Sequence, residues 1–406
     1  MKSLRTTLIS FIILFFLVAI PGYSAINPDS TIVQLRKDCG QLDDCFGTME
    51  DLLDWTWGAT GNPNPRNPTA QSPLTVLIGP GEYAPFKCTG GQNGYVSLKG
   101  SGRDVTKIVS RNLAFMAVPV RVNGCTELAF SDLSVILSST TEYSIGYAIW
   151  WSNGGSSVWN NVYVESSNLT EGVYNTAWYD NGVGDSVHYW YNSKLRVIGD
   201  GVGRFHGYES QVAESWFYGS EIEVIAKSNA SGDSFVGVNT SNGQADVRLF
   251  GSVVRVHADT SGGAVNGTLS FTGINGGTTK VVHMHGGNVS VDASAATGVV
   301  NATGIKGAAH TLETAVGVKA GQGGGFATRI SGAAQSPTQW PPGTQPPAVT
   351  STTGSDLFIE TDCDFNGDCS GAGSDPHPHI MVYDASCNGG TDPWFDSTRG
   401  KCRGAP

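Results

Sequence analysis

Leu195-Arg196-Val197, Ile222-Glu223-Val224 and Val254-Arg255-Val256 repeat one three-residue pattern, aliphatic at both ends and charged between, with closing valines 27 and 32 residues apart. Leu133-Ser134-Val135 and Val162-Tyr163-Val164 precede them, and Val289-Ser290-Val291 and Val316-Gly317-Val318 follow, so the full series of intervals is 29, 33, 27, 32, 35 and 27 residues. Alternation with period 2 marks a strand with one buried face. A strand that returns at so regular an interval, with no helical periodicity between copies, is produced by a coil whose turns stack and bury one continuous aliphatic column. The expected fold is all-β, a single-stranded right-handed parallel β-helix over residues 73–334.

The flanks of the triplets extend this expectation. Small turn-formers precede them, namely Ser131-Asp132, Asn160-Asn161, Asn192-Ser193, Gly219-Ser220, Gly251-Ser252 and Gly286-Gly287, which suit a tight corner. Before each corner stands Phe130, Trp159, Tyr191, Tyr218, Phe250 or His285, and one residue earlier Ala129, Val158, Trp190, Phe217, Leu249 or Met284. The second set is wholly apolar and is expected to point inward. Alternation then sends Trp159, Tyr191, Tyr218, Phe250 and His285 outward as a file with neighbours about 4.8 Å apart, beside Tyr189, Trp216, Arg248 and His283. Trp159, Tyr189, Tyr191, Trp216, Tyr218 and Arg248 are the substrate-binding candidates. Aromatic rings stack on sugars, and the Arg248 guanidinium suits a uronate carboxylate. The same rings can also stack on one another as a self-stabilising ladder.

Met1 to Ser24 has Lys2 and Arg5, an apolar run from Leu8 to Ile20, and Gly22-Tyr23-Ser24 before Ala25, the layout of a cleaved secretory signal. Cleavage leaves no transmembrane anchor and places the chain in an extracellular or periplasmic setting. It also leaves 22 basic against 35 acidic residues, a net charge of −13 in place of −11. That balance disfavours nucleic acid and anionic membranes as partners and leaves oligomeric state open. The 8 cysteines are expected to pair as Cys39–Cys45, Cys88–Cys125, Cys363–Cys369 and Cys387–Cys402 in an oxidising compartment.

Residues 25–72 read as a helical cap and proline-rich loop. Asp29 or Ser30 can cap a short helix carrying Ile32 and Leu35, and Thr48 with Asp51 caps a second one carrying Met49, Leu52, Leu53 and Trp57, ended by Gly58. Residues 335–356, with Pro337, Pro341, Pro342, Pro346 and Pro347, read as a semi-rigid linker to a small disulfide-rich C-terminal tail over 357–406.

Gly79-Pro80-Gly81-Glu82-Tyr83, then Val96-Ser97-Leu98-Lys99-Gly100-Ser101-Gly102 and Thr106-Lys107-Ile108, resemble the opening of pectin lyase-like β-helix proteins, pectin methylesterases in particular. The resemblance implies the fold. It carries over no catalytic set: Ser215-Trp216-Phe217-Tyr218-Gly219 has serine where the methylesterases place their aspartate nucleophile, and the polygalacturonase and pectate lyase elements are missing. Methylesterase activity is therefore disfavoured, and the catalytic residues are unassigned. The leading expectation is a secreted or cell-surface protein that binds, and can process, a polysaccharide. A lyase or hydrolase with an unrecognised site is one alternative, and a structural or adhesive surface protein without activity is the other.

Further candidates lie off the file. Asp180, Asp185, His188, Arg204, His206 and Glu209 form an ionisable, glycine-broken stretch in which an acid and a base can meet, although spacing brings no pair together and solvated loop groups are the other reading. Asp362, Asp364, Asn366 and Asp368 copy the start of a calcium loop, but Gly373 stands where the bidentate glutamate belongs, so calcium is an option and no cofactor is required. His377-Pro378-His379 lacks a third metal ligand.

Overall fold

The computed structural model describes residues 31–331, apart from breaks at 40–43, 62–64, 91, 93, 112–115, 140–144, 154, 169–173, 183–185, 202, 229, 231–233, 241–244, 277–281, 308–309 and 325, together with 357–360, 379–383, 394–396 and 401–402. Signal, linker and calcium-loop expectations fall outside these residues, as do Asp185, Cys363, Cys369 and Cys387.

The chain winds as a parallel β-solenoid in which each full turn lays down three strands. One turn reads Val187–Tyr191, Lys194–Gly199 and Arg204–Ser210, on what we call the first, second and third faces. The next reads Glu214–Tyr218, Glu221–Ala226 and Ser234–Asn239, and each strand pairs in parallel with its counterpart. Leu195, Ile222 and Val254 occupy adjacent rungs of one buried column, as the triplet pattern requires. A separate four-stranded antiparallel sheet joins Leu357–Glu360, His379–Tyr383, Trp394–Asp396 and Lys401–Cys402.

Corners between first and second faces stack residues in the left-handed region: Asp132, Asn161, Asn192, Gly219, Gly251 and Gly286 all have φ between 49° and 69°. Asp, Asn and Gly are the residues that tolerate this backbone. The following serines form a ladder. The Ser193 amide donates to Ser220 Oγ and the Ser220 amide to Ser252 Oγ, each at 3.1 Å, so the corner's backbone donors are satisfied one turn away.

This corner corrects two sequence expectations. Asp132, Asn161 and Asn192 share a rung, so Leu133 and Val162 stack with Ser193, and Val135 pairs with Val164, which pairs with Leu195. The first two triplets are thus offset by two residues from the rest. Accordingly Phe130 and Trp159 pair with Trp190 and are buried, while Ala129 and Val158 are the half-buried neighbours. Trp159 is therefore a core residue and not part of the outward file. Its indole stacks on Phe130 at 4.1 Å and on Trp190 at 5.0 Å.

A third correction concerns the start of the chain. Thr31–Leu35 is a strand, parallel to Leu74–Ile78, and not a capped helix. Its β-branched Thr31, Ile32 and Val33 alternate, with Val33 and Leu35 buried and Ile32 exposed, a strand pattern rather than a helical one. The second helix does form over Met49–Trp57. Thr48 caps Asp51 N–H at 3.1 Å, Gly58 closes the helix in the left-handed region, and Trp57 meets Phe86 at 5.8 Å. Cys39–Cys45 and Cys88–Cys125 are bonded as expected.

On the second face an ion network centres on Glu223, whose side chain is 8% exposed. Lys194 lies 2.7 Å away, Arg196 3.3 Å, Arg255 3.7 Å and His257 3.1 Å. The hydrogen bond from His257, with Lys194 and Arg196 behind it, draws the Glu223 pKa from 4.5 down to about 2 against the opposing effect of burial. A depressed carboxylate stabilises the fold above its unfolded pKa and loses that contribution as the pH falls through the folded value. Stability should therefore decline between pH 4.5 and about 2, and the decline should be shallower in Glu223→Gln. Urea midpoints measured across that range check this; parallel curves for the two proteins would contradict it.

Candidate functional site

The outward file on the first face is real from Tyr191 onward, but its rings face one another. Tyr191, Tyr218, Phe250 and His285 stack at 5.1, 5.1 and 5.2 Å, with interplanar angles of 8 to 12°. Trp216 stacks on Phe250 at 5.9 Å and on Tyr189 at 6.4 Å, and the Arg248 guanidinium lies over its ring at 4.2 Å. A ring whose faces are occupied presents its edge, whereas stacking on sugar needs a free face. Arg248 is also engaged, 2.9 Å from Asp246 and 3.6 Å from Glu214. The arrangement is a ladder of rings stacked on one another.

Asp180 and His188 do meet, inside the coil. His188 Nε2 is 3.3 Å from Asp180 Oδ2 and Nδ1 is 2.8 Å from Ser157 Oγ, while the Trp159 indole N–H donates to Ser157 at 2.7 Å. Hydroxyl, imidazole and carboxylate are hydrogen-bonded in series, yet all three residues are at most 1% exposed. Trp151 and Trp178 pack edge-on against the imidazole at 4.9 and 4.7 Å. The series satisfies polar atoms that the core would otherwise leave unpaired.

The other three ionisable candidates, Arg204, His206 and Glu209, come together on the third face. The strand there repeats a hexapeptide that the triplet register concealed: Tyr174-Asn175-Thr176-Ala177-Trp178-Tyr179, Arg204-Phe205-His206-Gly207-Tyr208-Glu209, Ser234-Phe235-Val236-Gly237-Val238-Asn239, Ser270-Phe271-Thr272-Gly273-Ile274-Asn275 and Asn301-Ala302-Thr303-Gly304-Ile305-Lys306. Their third and sixth positions pair in register from turn to turn. The fourth position is always Ala or Gly. A Cβ on Gly237 would sit 2.4 Å from Val254 Cγ1 and 2.5 Å from Gly273 O, so the strand presses there against the second face. The fifth residue also turns inward, with Tyr208 fully buried. Two successive inward residues bend the strand and turn the third and sixth side chains toward each other.

That bend makes a groove of about 470 Å³, lined among others by Tyr174, Arg204, His206, Asn239, Asn275 and Lys306. His206 Nδ1 lies 2.7 Å from Glu209 Oε2, and the Tyr174 hydroxyl donates to the same oxygen. Burial, then the Glu209 carboxylate, pushes the Tyr174 phenol well above its usual pKa, so it stays protonated. Asn239 Nδ2 is 3.4 Å from His206 Nδ1, and Asn239 Oδ1 accepts from Asn275 Nδ2 at 3.1 Å. Glu209 is 1% exposed, and its Oε1 is buried without a hydrogen-bond partner among the described residues. Arg204 and Lys306 are exposed on the groove's rim, and among the described residues neither makes an ion pair. Toward the N-terminal end Tyr147 stacks on Tyr179 at 4.4 Å, and Trp150 receives Arg121 at 4.4 Å. No set of three or more metal-ligating side chains gathers among the described residues, and no described helix is long and apolar enough to cross a membrane.

No protein-family model matches the chain, and no curated protein matches it in sequence. Among solved structures it is similar to pectin methylesterase PemA from Erwinia chrysanthemi, at 12% identity over 64% of this chain and 81% of that one, with a TM-score of 0.34. A pectin methylesterase in complex with a hexasaccharide matches at 12% identity over 63% and 80%, with a TM-score of 0.33. The coil stands on its own strand register and not on likenesses this distant.

Proposed function

We propose that this protein binds an acidic polysaccharide lengthwise along the third face, in the groove between Tyr174 and Lys306. The observation that carries the reading is a polar trough that runs across successive turns of the coil, with two rim cations that make no ion pair among the described residues. Amide, hydroxyl and imidazole groups suit sugar hydroxyls, and Arg204 and Lys306 suit carboxylates along the chain. The two disulfides fit an oxidising, extracytoplasmic setting.

Affinity electrophoresis in gels containing alginate, polygalacturonate or hyaluronan, with dextran as the neutral control, tests this. Retardation is expected in at least one acidic gel, weakened by salt. Arg204→Ala with Lys306→Ala should lower affinity at least tenfold, since a charge-assisted hydrogen bond contributes about 1.5–3 kcal/mol. Trp216→Ala with Tyr218→Ala should lower the melting temperature and leave retardation unchanged. If those two aromatic substitutions abolish retardation and the cation pair does not, the ligand lies on the first face. Migration unaltered in every gel would favour a structural or adhesive coil.

A further inference from the structure

We propose that the groove is also catalytic, with His206 as the base of a β-elimination that cleaves the bound acidic polysaccharide. This inference rests on the binding reading above. His206 is 4% exposed yet lines the groove, and the Glu209 carboxylate 2.7 Å from Nδ1 fixes the tautomer in which that nitrogen carries the proton. Nε2 is then the basic nitrogen, and among the described residues it has no hydrogen-bond partner. A carboxylate that orients an imidazole and stabilises its protonated form is the arrangement by which proteins make histidine a competent base. Glu209 is otherwise hard to account for. A fully buried carboxylate with one oxygen unpartnered is costly, and its place against His206 and Tyr174 gives it a positioning role.

The composition of the groove selects the reaction. Glycoside hydrolysis by paired carboxylates needs an acid and a base or nucleophile on opposite sides of the sugar, and Glu209 is the only carboxylate among the described residues that line or touch this groove. Elimination needs one base and a cation beside the sugar's carboxylate. Arg204 lies two residues before His206 on the same strand, roughly 7 Å away by strand rise, near enough for one sugar to lie between them with its carboxylate toward the guanidinium and its C5 hydrogen toward the imidazole. Nε2 takes the proton from C5, next to the carboxylate, and the electron pair of that bond becomes the C4–C5 double bond. The C4–O bond breaks with its electrons on the leaving oxygen, which takes the proton back from the imidazolium. The products are a chain with a new reducing end and a chain ending in a 4,5-unsaturated uronate. No oxidant, reductant or water is consumed, and His206 returns to its starting state.

The full-length protein, incubated with alginate, polygalacturonate and hyaluronan in turn, should generate ultraviolet-absorbing unsaturated ends from at least one polymer that also retards it in the gel. His206→Gln should reduce kcat about 100-fold or more while far-ultraviolet circular dichroism is unchanged and the acidic gel still retards the protein. Glu209→Gln should lower kcat at nearly constant KM and shift the pH–rate profile, which a merely structural glutamate would not do. Retardation without unsaturated product in any of the three polymers would overturn the catalytic inference and leave the binding reading standing. So would reducing ends formed without the double bond, or a folded His206→Asn variant that keeps the full rate. Absence of retardation in every gel would overturn both.

Discussion

Replacing Trp190 by alanine is expected to destabilise the coil by about 3–5 kcal/mol, the range for removing a large aromatic side chain from a packed core. Trp190 is fully buried and packs against three other rings: Trp159 at 5.0 Å and Phe217 at 5.7 Å within the column, and Trp178 edge-on at 5.1 Å from the third face. Each turn of a solenoid contacts only its neighbours, so a void here weakens two inter-turn interfaces together and cannot be absorbed elsewhere. Trp190→Phe should cost much less. Phenylalanine keeps the stack, and it deletes an indole N–H that is buried without a hydrogen-bond partner among the described residues, a group whose desolvation costs about 1–3 kcal/mol. Chemical denaturation followed by tryptophan fluorescence and by circular dichroism reads both variants. An alanine variant within 1 kcal/mol of the parent would mean that the column is not packed as described.

The same column shows how far the amino-acid sequence could be read. Alternating triplets sufficed to identify strands, their stacking and the Leu195, Ile222 and Val254 column, because aliphatic burial with period 2 is a local pattern. The register of the first two turns was not local. Leu133 and Val162 are aliphatic but occupy the corner position that Ser193, Ser220 and Ser252 take later, so matching apolar residues shifted those turns by two and turned Trp159 outward. The left-handed corner was the better ruler, since Asp132, Asn161, Asn192, Gly219 and Gly251 share a backbone requirement and not a hydropathy. Facing of the aromatic rings was likewise invisible: the sequence places Tyr191, Tyr218 and Phe250 in one file, but only the packing shows that they take one another's faces. The third-face groove was missed for a different reason. Arg204, His206 and Glu209 do not alternate, because Gly207 and Tyr208 both turn inward, whereas simple alternation sets residues three apart on opposite sides of a strand. The repeated glycine at the fourth position of four of the five hexapeptides was the available signal.

That glycine carries the second large effect. Gly237→Ala is expected to destabilise the coil by about 1–3 kcal/mol and to abolish retardation in acidic polysaccharide gels, because overpacking a closed site forces the backbone to move. The clash is not with a side-chain end alone: besides Val254 Cγ1, the added methyl meets the Gly273 carbonyl oxygen at 2.5 Å, and the same geometry recurs one turn on, where a Cβ on Gly273 would meet the Gly304 carbonyl at 2.5 Å. Relief requires the third-face strand to lift from the second face, which flattens the bend that brings Val236 and Asn239 into the groove beside His206. Gly251 supplies the control. It lies at a corner with φ of 57° and nothing within 4 Å of its absent Cβ, and asparagine already occupies the equivalent corner at Asn161 and Asn192. Gly251→Asn should therefore leave both stability and binding close to the parent, since asparagine tolerates the left-handed region. Melting temperature and gel retardation, measured on the two variants side by side, separate a glycine kept for its backbone from one kept for space. If Gly237→Ala binds as the parent does, the bend is not what shapes the groove, and the outward convergence of His206 and Glu209 must have another cause.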